Sequence, residues 1–111
     1  MRKTKTGYCI TAINSKHWQS TNNLSFSPTS NFGFYLDFDL AEKDVLKNGG
    51  YIHESYYDYV VIESLYVNVP FTYSYSLEKN SRKWYAWNKK QNSFAECQEP
   101  SWATGIVHWY S

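Results

Sequence analysis

The sequence is short of cysteine, of net charge and of long apolar runs, and each shortage excludes a class of protein. Cys9 and Cys97 are its two cysteines, whereas small secreted domains framed by disulfides carry four or more. Lys and Arg number 11 against 10 Asp and Glu, a net charge of +1. That excludes a strongly basic, dedicated nucleic-acid binder and an acidic tail protein. No apolar run approaches the ~20 residues that a membrane-spanning helix needs. The five glycines are scattered, so no Gly-rich loop is available to cradle phosphate. Met1 to Lys5 is basic, but Gly7 to Ile13 behind it is too short and too polar for the core of a signal peptide. A cytoplasmic chain with both thiols reduced is expected, with a Cys9–Cys97 disulfide as the alternative.

Rings are abundant. Phe, Tyr and Trp number 6, 11 and 5 among 111 residues. That much ring surface with so little net charge suffices for a packed core rather than a disordered chain. The whole chain, residues 1–111, reads as one domain. Tyr8 to Ile13 is rich in β-formers and bounded by Gly7 and by Asn14-Ser15-Lys16, which predicts a strand. Residues 14 to 31, dominated by Ser, Thr and Asn, predict a long loop with room for a short strand at Leu24-Ser25-Phe26. A helix is predicted from Asp39 or Leu40 to Asn48. Asp39 and Glu42 have the spacing of a capping box, Phe38, Ala41 and Val45 form the apolar stripe, and Gly49 is placed for a left-handed cap.

Tyr57 to Val67 is apolar on both faces at Val60-Val61-Ile62, the pattern of a central strand covered on two sides. Phe71 to Ser76 alternates ring and hydroxyl, as a half-buried strand does. Arg82 to Trp87 and Ser93 to Glu96 predict a hairpin around Asn88 to Asn92. The class is therefore α+β. One helix packs on a mainly antiparallel sheet of four or five strands, a degenerate ferredoxin-like arrangement lacking its second helix. The string Tyr57-x-Tyr59-Val60-Val61-Ile62-Glu63, with Trp84-Tyr85-x-Trp87, Glu99-Pro100 and Ile106-Val107-x-Trp109, resembles a loose family of short bacterial and phage hypothetical proteins. The resemblance covers roughly the C-terminal two thirds. It implies a small cytosolic α+β protein and carries over no catalytic residue.

Chemistry-bearing patterns are sparse. Cys9, His17, His53, Cys97 and His108 show no spacing that would bring two ligands to one metal, so no metal and no cofactor are expected. Asp37 and Asp39 lack the later oxygen ligands of a calcium loop and read as helix caps. A Cys97–His108 nucleophilic pair has no signature around it. Glu63 stands in the most apolar strand on the face of Tyr59, Val61 and Leu65. There it needs a salt bridge or hydrogen bond from Arg82, Lys83 or a tyrosine, or else serves as an acid–base carboxylate with a raised pKa. Lys79 to Lys90 is the densest positive stretch, with Trp84, Tyr85 and Trp87 inside it, while residues 37 to 63 hold seven acids against Lys43 and Lys47. A basic side and an acidic side follow. A binding site is expected around Arg82, Lys83, Trp84 and Trp87, with Tyr73 and Tyr75 from the neighbouring strand, since cations beside rings suit a nucleotide-like ligand.

The rings exceed what a core of this size buries, so some must be exposed, drawn from Tyr56, Tyr57, Tyr73, Tyr75, Trp18, Trp102 and Tyr110. The missing catalytic signature and the surplus ring surface point to a non-enzymatic binding protein. Its most concrete form is a phage or mobile-element inhibitor, an anti-defence protein that occupies a host protein or sequesters a nucleotide-like molecule. A small enzyme using Glu63, Cys97 or His108 is the alternative, and a structural or assembly subunit is the third. No membrane partner is expected, and a homo-oligomer stays open.

Overall fold

The computed structural model describes residues 6–16, 29–67 and 82–103. The predicted strand at Phe71 to Ser76, the predicted segment at Leu24 to Phe26, and Trp18, Tyr73, Tyr75, His17, His108 and Tyr110 lie outside the described residues. The elements are β1 (Thr6–Ile13), β2 (Thr29–Tyr35), α1 (Phe38–Leu46), two short 3-10 turns (Gly49–Tyr51 and His53–Ser55), β3 (Tyr59–Tyr66), β4 (Arg82–Asn88) and β5 (Ser93–Cys97). The five strands form one antiparallel sheet in the order β2-β1-β3-β4-β5, with α1 packed on it. This is an α+β fold. Because β2 and β3 both run antiparallel to β1, they are parallel to each other. Helix α1 therefore joins them across β1 as a split strand–helix–strand unit.

The doubly apolar run of β3 is explained by its place in the middle of the sheet. One face of the sheet meets the helix layer. There Ile10, Ala12, Val60, Ile62, Tyr85 and Phe94 bury against Ala41 and Val45 of α1 and Ile52 of the following turn. The other face packs Ile13, Val61 and Trp84 against Ala103, with Tyr59 and Trp102 edge-on at 5.2 Å. Val60 and Val61 point to opposite faces, and both are fully buried.

Three local expectations are corrected. The predicted loop over residues 14 to 31 ends in an edge strand, β2. Its polar residues Thr29, Ser30 and Asn31 pair with Ile13, Ala12 and Thr11, and a bulge follows where the register slips between Ile10 and Thr11. The bulge turns Phe32 onto the helix layer, where it meets Tyr57 edge-on at 5.6 Å. The helix begins at Phe38, capped by the Asp37 carboxylate accepting from the Asp39 N–H at 2.8 Å. Asp39 and Glu42 form no capping box, because Glu42 reaches across to β4 instead. The left-handed residue after the helix is Asn48, with φ 56°, rather than Gly49. The hairpin of β4 and β5 forms as expected, closed by Asn88 opposite Ser93. Among the described residues, no helix is long and apolar enough to cross a membrane.

Candidate functional site

Strand alternation separates the predicted hairpin site into two halves. Arg82 and Trp84 lie on the sheet face away from the helix, and Lys83 and Trp87 lie beneath it. Trp84 is buried, and its Nε1–H donates to Glu99 Oε1 at 3.0 Å. Trp87 is half-buried, stacked on the His53 ring at 3.8 Å and 5°. Both cations are held by the protein's own acids. Lys83 Nζ lies 2.6 Å from Glu42 Oε2 and 3.4 Å from Glu96 Oε1. Arg82 Nε lies 3.4 Å from Glu63 Oε2, and its Nη1 lies 3.6 Å from Glu99 Oε1. The helix acid Glu42 and the hairpin cation Lys83, expected from the sequence on opposite sides, form one pair. The Lys83 ammonium and the Tyr85 hydroxyl, 2.5 Å away, hold the Glu42 carboxyl below its usual range. An open cavity of about 440 Å³, lined by Tyr8, Phe38, Ile62, Ser64 and Lys83 among others, lies at this end of the sheet.

Glu63 sits in the last row of the β3–β4 pairing, opposite Cys9 on β1 and Arg82 on β4. Its side chain is 3% exposed, and Oε1 makes no hydrogen bond. Burial outweighs Arg82 and pushes its pKa up to about 8. The salt-bridge reading of Glu63 is thus half fulfilled, with one oxygen paired and one not. Burial and the Glu63 charge push the Cys9 thiol up to about 11, and burial with Glu96 raises that of Cys97. Both cysteines are free, and both shifts run opposite to the one that prepares a nucleophilic thiolate. No group of three or more metal-ligating side chains occurs among the described residues.

A second region, residues 48–58 between α1 and β3, is built differently. Asn48, Gly50, Tyr51 and Tyr56 all have left-handed backbone, with φ 56°, 72°, 55° and 74°. Asparagine and glycine adopt it readily, but for a tyrosine it costs on the order of 1–2 kcal/mol. Hydrogen bonds from several elements hold this conformation. Asn48 Oδ1 accepts from the His53 N–H at 3.0 Å while its Nδ2 donates to Glu54 Oε1 at 2.6 Å. Asn14, just past β1, donates from Nδ2 to the Tyr56 carbonyl at 2.6 Å. Asp58 accepts from the Ser15 N–H at 2.8 Å and from the Ser15 hydroxyl. Ile52 is buried between the two 3-10 turns and anchors the segment to the core.

What this fixed turn presents is aromatic. Tyr51 is 72% exposed and Tyr56 83% exposed. Beside Tyr56 runs an open groove of about 610 Å³, lined by Lys16, His53, Glu54, Tyr56, Tyr57 and Asp58 with Asn14 and Ser15. Of the rings expected at the surface, Tyr56 is there, while Tyr57 and Trp102 are half-buried in ring contacts with Phe32 and Tyr59. Tyr51 was not anticipated. Gly49-Gly50 reads as a helix stop, and nothing in the sequence marks a left-handed tyrosine after it. The available signal was Asn48 ahead of the two glycines. No protein-family profile, curated protein or solved structure matches the chain.

Proposed function

We propose that the chain is a non-enzymatic binding protein whose partner surface is the turn at residues 48–58. One observation carries this reading: two exposed tyrosines are held in a backbone conformation that tyrosine disfavours. Neither ring gains burial that would offset the strain. Strain that packing does not repay is characteristic of functional positions. Exposed tyrosine gives a partner a large, amphipathic contact with few torsions to freeze, and a turn fixed beforehand lowers the ordering cost of binding. A protein or peptide partner fits better than a nucleotide-like one. The cations that would hold phosphate, Arg82 and Lys83, already face Glu63, Glu99, Glu42 and Glu96. A phage or mobile-element inhibitor acting on a host protein is the concrete form of this function that the missing catalytic signature and the surplus ring surface favour.

The test is selection of a random peptide display library on the wild-type protein, followed by rebinding to the Tyr51→Gly/Tyr56→Gly variant. Glycine keeps the left-handed backbone and removes the ring. Selected peptides are expected to lose most of their affinity for the variant. Peptides that bind both proteins equally would place the partner surface elsewhere.

A further inference from the structure

We infer that the groove beside Tyr56 takes an arginine side chain of the partner, an assignment that rests on the binding reading above. The groove has the three features a guanidinium group selects. The first is a ring offered to solvent, since Tyr56 is exposed at its rim and Tyr57 lines its wall. A planar cation stacks on such a face. The second is acid in excess. Among the described residues, Glu54 and Asp58 line the groove against the single cation Lys16, and Lys47 is taken up by Asp44 at 3.3 Å. The third is carboxylates already oriented by neutral donors rather than by cations. The Asn48 amide holds Glu54, and the Ser15 backbone and hydroxyl hold Asp58. A carboxylate oriented by amide and hydroxyl donors keeps its charge for an incoming cation, and arginine can donate to two such oxygens with its fork of N–H groups. The opposite end of the molecule shows the contrast, because there each carboxylate of the Arg82–Lys83 cluster faces a resident cation.

Lysine satisfies the charge but not the planar stacking, and an acidic side chain satisfies neither. The inference therefore ranks three probes: acetyl-Gly-Arg-Gly-amide above its Lys counterpart, and both above its Glu counterpart. Each would be titrated into isotope-labelled full-length protein at low and high salt, following backbone amide shifts. The arginine peptide is expected to shift residues 14–16 and 53–58 saturably and to bind more weakly at high salt. Tyr56→Gly should weaken it by about three- to tenfold. Glu54→Gln, which keeps an oxygen for Asn48, should weaken it at low salt and matter little at high salt. The inference is overturned if the glutamate peptide binds as well as the arginine peptide, if the shifts map elsewhere, or if the same amides shift with protein concentration alone, which would make a second copy the occupant. Display peptides that depend on Tyr51 and Tyr56 but carry no arginine would overturn the arginine assignment and leave the partner surface standing.

Discussion

Glu63 is a carboxyl group in the middle strand of the sheet, with one oxygen facing Arg82 and the other without a hydrogen bond. Its folded pKa is raised from 4.5 to about 8 by burial. Below pH 4.5 the folded and unfolded chains both hold the proton. Between 4.5 and 8 only the folded chain holds it, so folding takes up a proton and stability falls as pH rises, by roughly 1.4 kcal/mol per pH unit. Above 8 the buried carboxylate is ionised and that contribution has been lost. Other shifts act outside this window, since Glu42 and Asp44 are lowered and Cys9 is raised to about 11. Denaturant unfolding followed from pH 5 to 8 should show this slope in the wild type and a flattened one in Glu63→Gln. The thiols offer an independent check of the same face. Cys9 should react with a thiol reagent only on unfolding and Cys97 slowly, and fast labelling of native Cys9 would contradict its burial.

At the scale of elements, local pattern was a good guide wherever the core reads the sequence directly. The stripe of Ala41 and Val45 is buried as its spacing requires, and Val60-Val61-Ile62 runs through the centre of the sheet. Pattern failed where tertiary contacts choose among local options. Asp37 and Asp39 can each cap a helix, and Phe38 decides between them by packing against the core cluster, which makes Asp37 the cap. Asp37→Ala should therefore lower stability by about 1 kcal/mol, while Asp39→Ala should change it by well under that. Equal losses in thermal unfolding would return the cap to Asp39. Strand β2 escaped notice because an edge strand of Thr, Ser and Asn, broken by a bulge and by Gly33, has no clean alternation. The pairing of Lys83 with Glu42 joins residues far apart in sequence, and charge counted along the chain does not contain it.

The whole molecule combines two ends of contrasting design. Around Arg82 and Lys83, cations and acids face one another at the mouth of the sheet. At the turn before β3, a hydrogen-bonded frame holds two tyrosines outward. From the sequence a ring-rich binding surface is expected on the hairpin, because β4 carries the densest rings and positive charge. Alternation then put those rings on opposite faces, burying Trp84 and stacking Trp87 on His53. The turn escaped because a left-handed tyrosine is a property of the folded frame. Asn48 provides the control for that frame. Asn48→Gly keeps the backbone preference but loses the bonds to His53 and Glu54, and it should destabilise by about 1 kcal/mol despite the more permissive residue. The central claim is that Tyr51 and Tyr56 are kept for a partner against the preference of the backbone. The unfolding free energy of Tyr51→Gly/Tyr56→Gly, measured against wild type by denaturant titration, tests it most directly. If the rings serve only a partner, the variant will equal the wild type or exceed it by up to about 1 kcal/mol per site. A loss of stability would mean that the rings hold the fold together, and it would contradict the account.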